Sequence, residues 1–266
     1  MDTEPHTMNQ LQAFSGTLYY EFRMQIRRRS IWITFIALGL IFTQFHQPWN
    51  RPVTTPASDS IVYWTAIVQT FLAVAVGIFV ADRLQRDRRM HVDEVLKALP
   101  SGLGARLFGK YLGSTFATLV PMFVVYGAGV GYIVYRWQDV QALPMALAAF
   151  AAIALPGILF VAAFSIACPV FLWLPLYQFL FIGYWFWGNV LPDTGIPTLS
   201  TTILTPIGGY MCTGFFNPTG KEGVCNPGIQ GATVLQGVES MLLLVGIAML
   251  VMLVLWGGLR LQQAWQ

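Results

Sequence analysis

Apolar runs alternate with short polar stretches along the chain, at Ile31–Phe45, Ile61–Ala81, Tyr111–Tyr135, Val140–Pro192 and Ser240–Leu259. As helix, at about 1.5 Å per residue, the second and third runs each cross a hydrocarbon core of about 30 Å. The uncharged run from Val140 to Pro192 would be about 80 Å of helix, too long for one crossing and right for two. Pro169 and Pro175 bracket the expected turn, because proline interrupts helix continuity. The pattern predicts an all-α polytopic membrane protein, a single transmembrane domain over 1–266. Its six spans are expected near 31–47, 61–81, 111–135, 142–168, 173–191 and 240–259.

Ahead of the first run, Leu11, Phe14, Leu18, Phe22 and Ile26 recur at spacings of three and four, with Glu21, Arg23, Gln25 and Arg27 on other faces. This predicts an amphipathic helix over 9–29 that lies on the membrane surface. Arg27-Arg28-Arg29 followed by the apolar run from Ile31 looks superficially like a signal peptide. No small-residue cleavage site follows at His46-Gln47-Pro48-Trp49, so an uncleaved first span is expected.

The stretch 82–110, DRLQRDRRMHVDEVLKALPSGLGARLFGK, is the one long, strongly charged block. It joins the second and third spans, so it is a loop held at a membrane face. Within it Val92, Val95, Leu96 and Leu99 share one face of a short helix that Pro100-Ser101-Gly102 ends. Residues 192–239 carry Pro197, Pro206, Gly208, Gly209, Pro218 and Pro227, too many breakers for a seventh full span. That external loop still has short apolar pieces, such as Ile203-Leu204, that suit a re-entrant turn.

Charge then orients the layout. Of 15 Lys and Arg residues, all but Arg51, Arg136 and Lys221 fall on the side of the 82–110 loop, which places that side and both termini in the cytoplasm. With 56% hydrophobic and 10% charged residues, a soluble globular fold is excluded. The net charge of +3 is explained by topology, so no nucleic-acid partner is expected. Three cysteines lack any metal-binding spacing. Cys212 and Cys225 both fall in the external loop, where disulfides persist. Pairing them, rather than leaving two free thiols, would stabilise the loop by about 3 kcal/mol in the chain-entropy picture. Cys168 is expected to be free.

Candidate chemistry is sparse. Gly104 to Tyr111, GARLFGKY, nearly spells a phosphate-binding loop, but Tyr111 replaces the metal-holding hydroxyl and no strand precedes it. No HExxH, GxSxG or intramembrane carboxylate pair occurs, which disfavours a membrane enzyme. Gly127 and Gly131 form a GxxxG that permits close helix approach. Gln69 and Thr70 in the second span, with Tyr177, Gln178 and Tyr184 in the fifth, are the polar groups best placed for a substrate path. For Gln69, helix-to-helix bonding is an equal alternative.

A surface helix, six spans, and a loop after the second span reading RDRRMHVDEVLKALPSGLGARLFGK resemble the permease subunits of type-2 ATP-binding-cassette exporters. In that family the loop carries an acidic residue, a Leu-Leu-like pair, a Pro, a small residue and then Gly-Lys. The similar positions here are Glu94, Val95-Leu96, Pro100, Ser101 and Gly109-Lys110. The resemblance covers the whole chain in layout but only the loop in motif, and the cysteine-bearing external loop departs from it. It implies that Val92, Asp93, Glu94, Val95, Leu96, Lys97, Leu99 and Pro100 belong to a coupling helix that docks on a separate ABC ATPase. That ATPase would bind ATP and Mg, and this chain would hold no cofactor and catalyse nothing itself. It further implies a second permease subunit, as homodimer or heterodimer, a path between spans two and five, and re-entrant helices within 196–220. The expected function is export of a hydrophobic or amphipathic substrate across the bacterial inner membrane by alternating access. The rival readings are a non-transporting membrane scaffold or assembly factor and, less favoured, a membrane-embedded enzyme.

Overall fold

The computed structural model describes residues 4–45, 55–89, 102–191, 198–218, 225, 229 and 231–264. Among them there is no strand. The chain runs through α1 (Glu4–Ile26), α2 (Arg29–Phe45), α3 (Ala57–Ala81), α4 (Arg83–Arg89) and α5 (Leu103–Trp137). It continues through α6 (Ala142–Ala149), a π turn at Phe150–Ala154, α7 (Leu155–Ala167), a 3-10 turn at Cys168–Val170 and α8 (Leu174–Asn189). It closes with α9 (Gly209–Phe216) and α10 (Val234–Ala264).

Among the described residues four continuous helical stretches are long and apolar enough to cross a membrane: Ala57–Arg86, Leu103–Trp137, Ala142–Val170 and Val234–Ala264. This is the character of a membrane protein. Of the expected six, α2 and α8 fall short among the described residues, with 17 and 16 residues, and the end of the first expected span, 46–47, lies outside them. A perpendicular crossing needs about 20.

α3 occupies the centre. Its most apolar stretch is 78% buried, whereas that of α10 is 22% buried and lies at the periphery. α3 is apolar all round, so every face is packed: against α2, α5, α6, α7 and α8. Polar side chains tie these neighbours together. Trp64 Nε1 donates to Tyr126 O at 3.0 Å, the Tyr126 hydroxyl donates to Ala146 O at 2.8 Å, and Thr65 Oγ1 lies 3.0 Å from that hydroxyl. The indole of Trp64 fits only because Gly129 has no Cβ, which would sit 2.3 Å from Nε1.

The π turn has a cause in sequence. Pro156 has no N–H to donate back along the helix and its ring crowds the preceding turn, so the hydrogen-bond ladder slips just before it. The turn between α7 and α8 falls where Pro169 and Pro175 place it. Gln85 Nε2 of α4 donates to Pro169 O at 2.6 Å and to Leu172 O at 3.2 Å. That turn therefore sits at the same end of the bundle as the charged stretch, although it carries no charge of its own.

Two sequence expectations need correction. Gly127 and Gly131 pack against nothing, and a Cβ on either would meet no atom within 4 Å. The glycines that bring α1 against α5 are Gly109 and Gly113, where a Cβ would lie 2.9 Å from Phe14 O and 2.6 Å from Leu18 O. α1 accordingly packs its backbone along the first turns of α5. Of its expected apolar face Phe14, Leu18, Phe22 and Ile26 are half-buried and Leu11 is 68% exposed, whereas the polar Glu21 and Gln25 are fully packed, so the seat is turned toward these two. The near-miss phosphate loop at Gly104–Tyr111 is continuous α-helix and forms no loop that could cradle a phosphate.

Candidate functional site

α5 has 35 residues, about 52 Å of helix, so it outruns a core of about 30 Å by several turns. Its first turns, with α4, hold the two ends of the segment 90–101. The proposed coupling residues Val92, Asp93, Glu94, Val95, Leu96, Lys97, Leu99 and Pro100 lie outside the described residues. What the structure defines is the base formed by the helices that flank them in sequence.

That base is a buried ionic joint. The close approach at Gly109 and Gly113 carries Glu21 of α1 between Lys110 of α5 and Arg83 of α4. Glu21 Oε1 lies 3.5 Å from Lys110 Nζ, and Oε2 lies 3.8 Å from Arg83 Nη1. The second distance is an electrostatic contact rather than a hydrogen bond, and among the described residues Oε2 and Nη1 have no hydrogen-bond partner. One turn on, Gln25 completes the seat. Its neighbours orient the amide so that the oxygen accepts from Arg83 Nε at 2.6 Å, Arg83 Nη2 at 3.2 Å and Ser114 Oγ at 2.9 Å.

Glu21, Gln25, Arg83, Lys110 and Ser114 are all buried. Buried charges persist only when paired and hydrogen-bonded, so the joint fixes α1, α4 and α5 relative to one another. Hydropathy alone could not find it, because Arg83 and Lys110 read there as basic loop residues. The Gly109-x-x-x-Gly113 spacing was the available signal.

The five proposed path residues do not lie together. Gln69 is fully buried, and its Nε2 donates to Pro206 O at 2.9 Å. Thr70 Oγ1 bonds back to Ala66 O, while Thr70 O accepts from Trp185 Nε1 at 2.7 Å. The Tyr177 hydroxyl lies 2.8 Å from Ser165 Oγ in the interior. Gln178 is half-buried, and Tyr184 faces outward at 48% exposure, its ring against Gly188. The outward face of α8 carries Phe179, Leu180, Ile182 and Trp187 as well. Gln69, Thr70 and Tyr177 are thus inside the bundle, and Tyr184 is on its surface. Trp185, Asn189, Thr205 and Ser240, which the sequence did not single out, join the interior polar set.

Cys212 of α9 and Cys225 are bonded, with Cα atoms 5.8 Å apart, and Cys168 is free. α9 in turn packs on α10 through Gly214 and Gly237. Compared with known protein families and with characterised proteins, the sequence matches none.

Proposed function

We propose that the chain is the membrane-spanning subunit of an ATP-driven transporter of the type-2 ATP-binding-cassette class, exporting a hydrophobic or amphipathic substrate. The observation that carries this reading is the ionic joint. Glu21 and Gln25 lock α1 to both helices that flank the 90–101 segment. A force applied to that segment by a partner is delivered to the packed α3 and α5 rather than dissipated in a loose loop. A scaffold has no need for so rigid a mounting.

On this reading α2 and α8 complete a six-span layout by local thinning of the bilayer and snorkelling of flanking residues, with both termini cytoplasmic and the membrane the bacterial inner membrane. ATP and Mg are handled by separate ABC ATPase subunits. Two permease subunits pair, their path lying between α3 and α8. Closure of the ATPases moves the coupling helix, the spans re-pack, and the substrate side switches.

Purification of the tagged chain from its native membranes tests this. A stoichiometric partner bearing a phosphate-binding loop, whose ATP hydrolysis changes when the permease is present, is the expected result. A chain that purifies as a stable species with no ATPase in any nucleotide state refutes it.

A further inference from the structure

Thr198–Gly208, between α8 and α9, contains no regular helix, yet Ser200, Thr205 and Ile207 are buried. Non-helical backbone at membrane depth must find partners inside the protein. Here the partners come from four helices, one of them α9, whose Tyr210 hydroxyl donates to Thr201 O at 3.0 Å. Leu199 N donates to Gly188 O of α8 at 2.8 Å, Ser240 Oγ of α10 donates to Ile203 O at 2.7 Å, and Gln69 Nε2 of α3 donates to Pro206 O. Thr205 Oγ1 adds a longer contact of 3.5 Å to Asn189 Oδ1.

The depth of the seat follows from Gln69, the middle residue of the 25-residue α3. Its floor is bare backbone. A Cβ on Gly157 of α7 would fall 2.1 Å from Pro206 O and 2.2 Å from Gln69 Nε2, so only glycine leaves room. At the far end Gly208, at φ +86°, turns the chain against Ile153 in the π turn. Gln69 Oε1 is buried there with no hydrogen-bond partner among the described residues.

We infer that Thr198–Gly208 is a latch: a piece of irregular backbone that closes the interior of this chain at mid-span and is released when the Gln69–Pro206 bond opens. Side-chain bonds and one backbone bond, from Leu199 N to Gly188 O, hold it rather than a helical ladder, and each has a modest net strength. Its floor at Gly157 offers no interlocking side chain, so it can lift without unpacking α7. Gln69 Oε1 is an acceptor already available to water as the segment leaves. The inference rests on the transport reading and refines it, because the latch is the closure that a transported molecule displaces.

The test uses neither ATPase nor transport, so the two readings fail separately. Thr205→Cys is placed in a Cys168→Ser background, with Cys212 and Cys225 left paired, and the protein is held in nanodiscs. The probe is a charged, water-soluble maleimide, with exposed Ser15→Cys as the reference. With Gln69 intact, position 205 is expected to stay unlabelled while position 15 reacts. Adding Gln69→Leu leaves Pro206 O without its donor and should speed labelling at 205 by about tenfold or more.

Ser240→Ala, a milder change at the other end of the segment, covers the case in which Gln69→Leu does not fold, and about a threefold rise is expected there. Rapid labelling at 205 with Gln69 present overturns the latch. So does unchanged labelling in whichever of the two variants remains monodisperse.

Discussion

Replacing Glu21 by Gln removes the acidic group of the ionic joint with little change of shape. At 3.5 and 3.8 Å from Lys110 and Arg83, and at an effective dielectric of about 20, each attraction is worth about 4 kcal/mol before desolvation is charged against it. Desolvation offsets much of this in the intact protein, but removing one partner strands the other charges in place, which costs about 3–5 kcal/mol at buried sites. Asp82 also attracts Arg83 and softens the loss, so about 3 kcal/mol is expected for Glu21→Gln.

The assay is a denaturant titration in mixed micelles, run as a double-mutant cycle with Lys110→Gln. The double variant should recover at least about 1 kcal/mol relative to the sum of the single losses, because it removes the stranded cation together with the acid. A loss below about 1 kcal/mol for Glu21→Gln, or strict additivity in the cycle, would refute the claim that these charges hold α1 to α5.

Gly113→Ala should loosen α1 from α5, since its Cβ would meet the Leu18 carbonyl at 2.6 Å, at a cost of about 1–3 kcal/mol and with new protease cleavage in α1. Gly131→Ala, with open space around it, should be neutral or stabilising by up to about 1 kcal/mol in the same titration. Tyr126→Phe deletes the hydroxyl that joins Thr65 and Ala146 and should cost about 1–2 kcal/mol without loss of the fold, read from the same midpoint shift. Alkylation without reductant should modify Cys168 alone once the protein is unfolded, whereas modification of Cys212 or Cys225 under those conditions contradicts the disulfide.

The long apolar helices were legible because a membrane-crossing run needs no knowledge of its neighbours. Their ends were not. α5 starts at Leu103, eight residues before Tyr111, because hydropathy marks where lipid begins and not where helix begins. For that reason Arg106 and Lys110 looked like loop charges.

The face of α1 was misread for a related reason. Glu21 looks solvated until Arg83 and Lys110, distant in sequence, are brought beside it, and only the close approach at Gly109 and Gly113 does that. Of two glycine pairs at the same spacing, the one inside the apolar run faces outward and the one next to a lysine makes the contact. Gln69 remained ambiguous in sequence because its partner is a backbone carbonyl, and carbonyls carry no signature. Cys212 and Cys225 were legible because a shared loop is a strong restriction on partners.

The central claim is that the segment between α4 and α5 docks an ATPase, and the most direct measurement is binding by a double variant, Val95→Asp with Leu96→Asp. An apolar helix face that fills a groove on a partner cannot accept two carboxylates there, so pull-down of the ATPase by detergent-solubilised, monodisperse permease should fall by at least about tenfold. Lys97→Asp, which sequence spacing puts off the expected apolar stripe, should change it far less. Unchanged ATPase binding and unchanged transport in the double variant would contradict the coupling role of this segment, and with it the transporter reading.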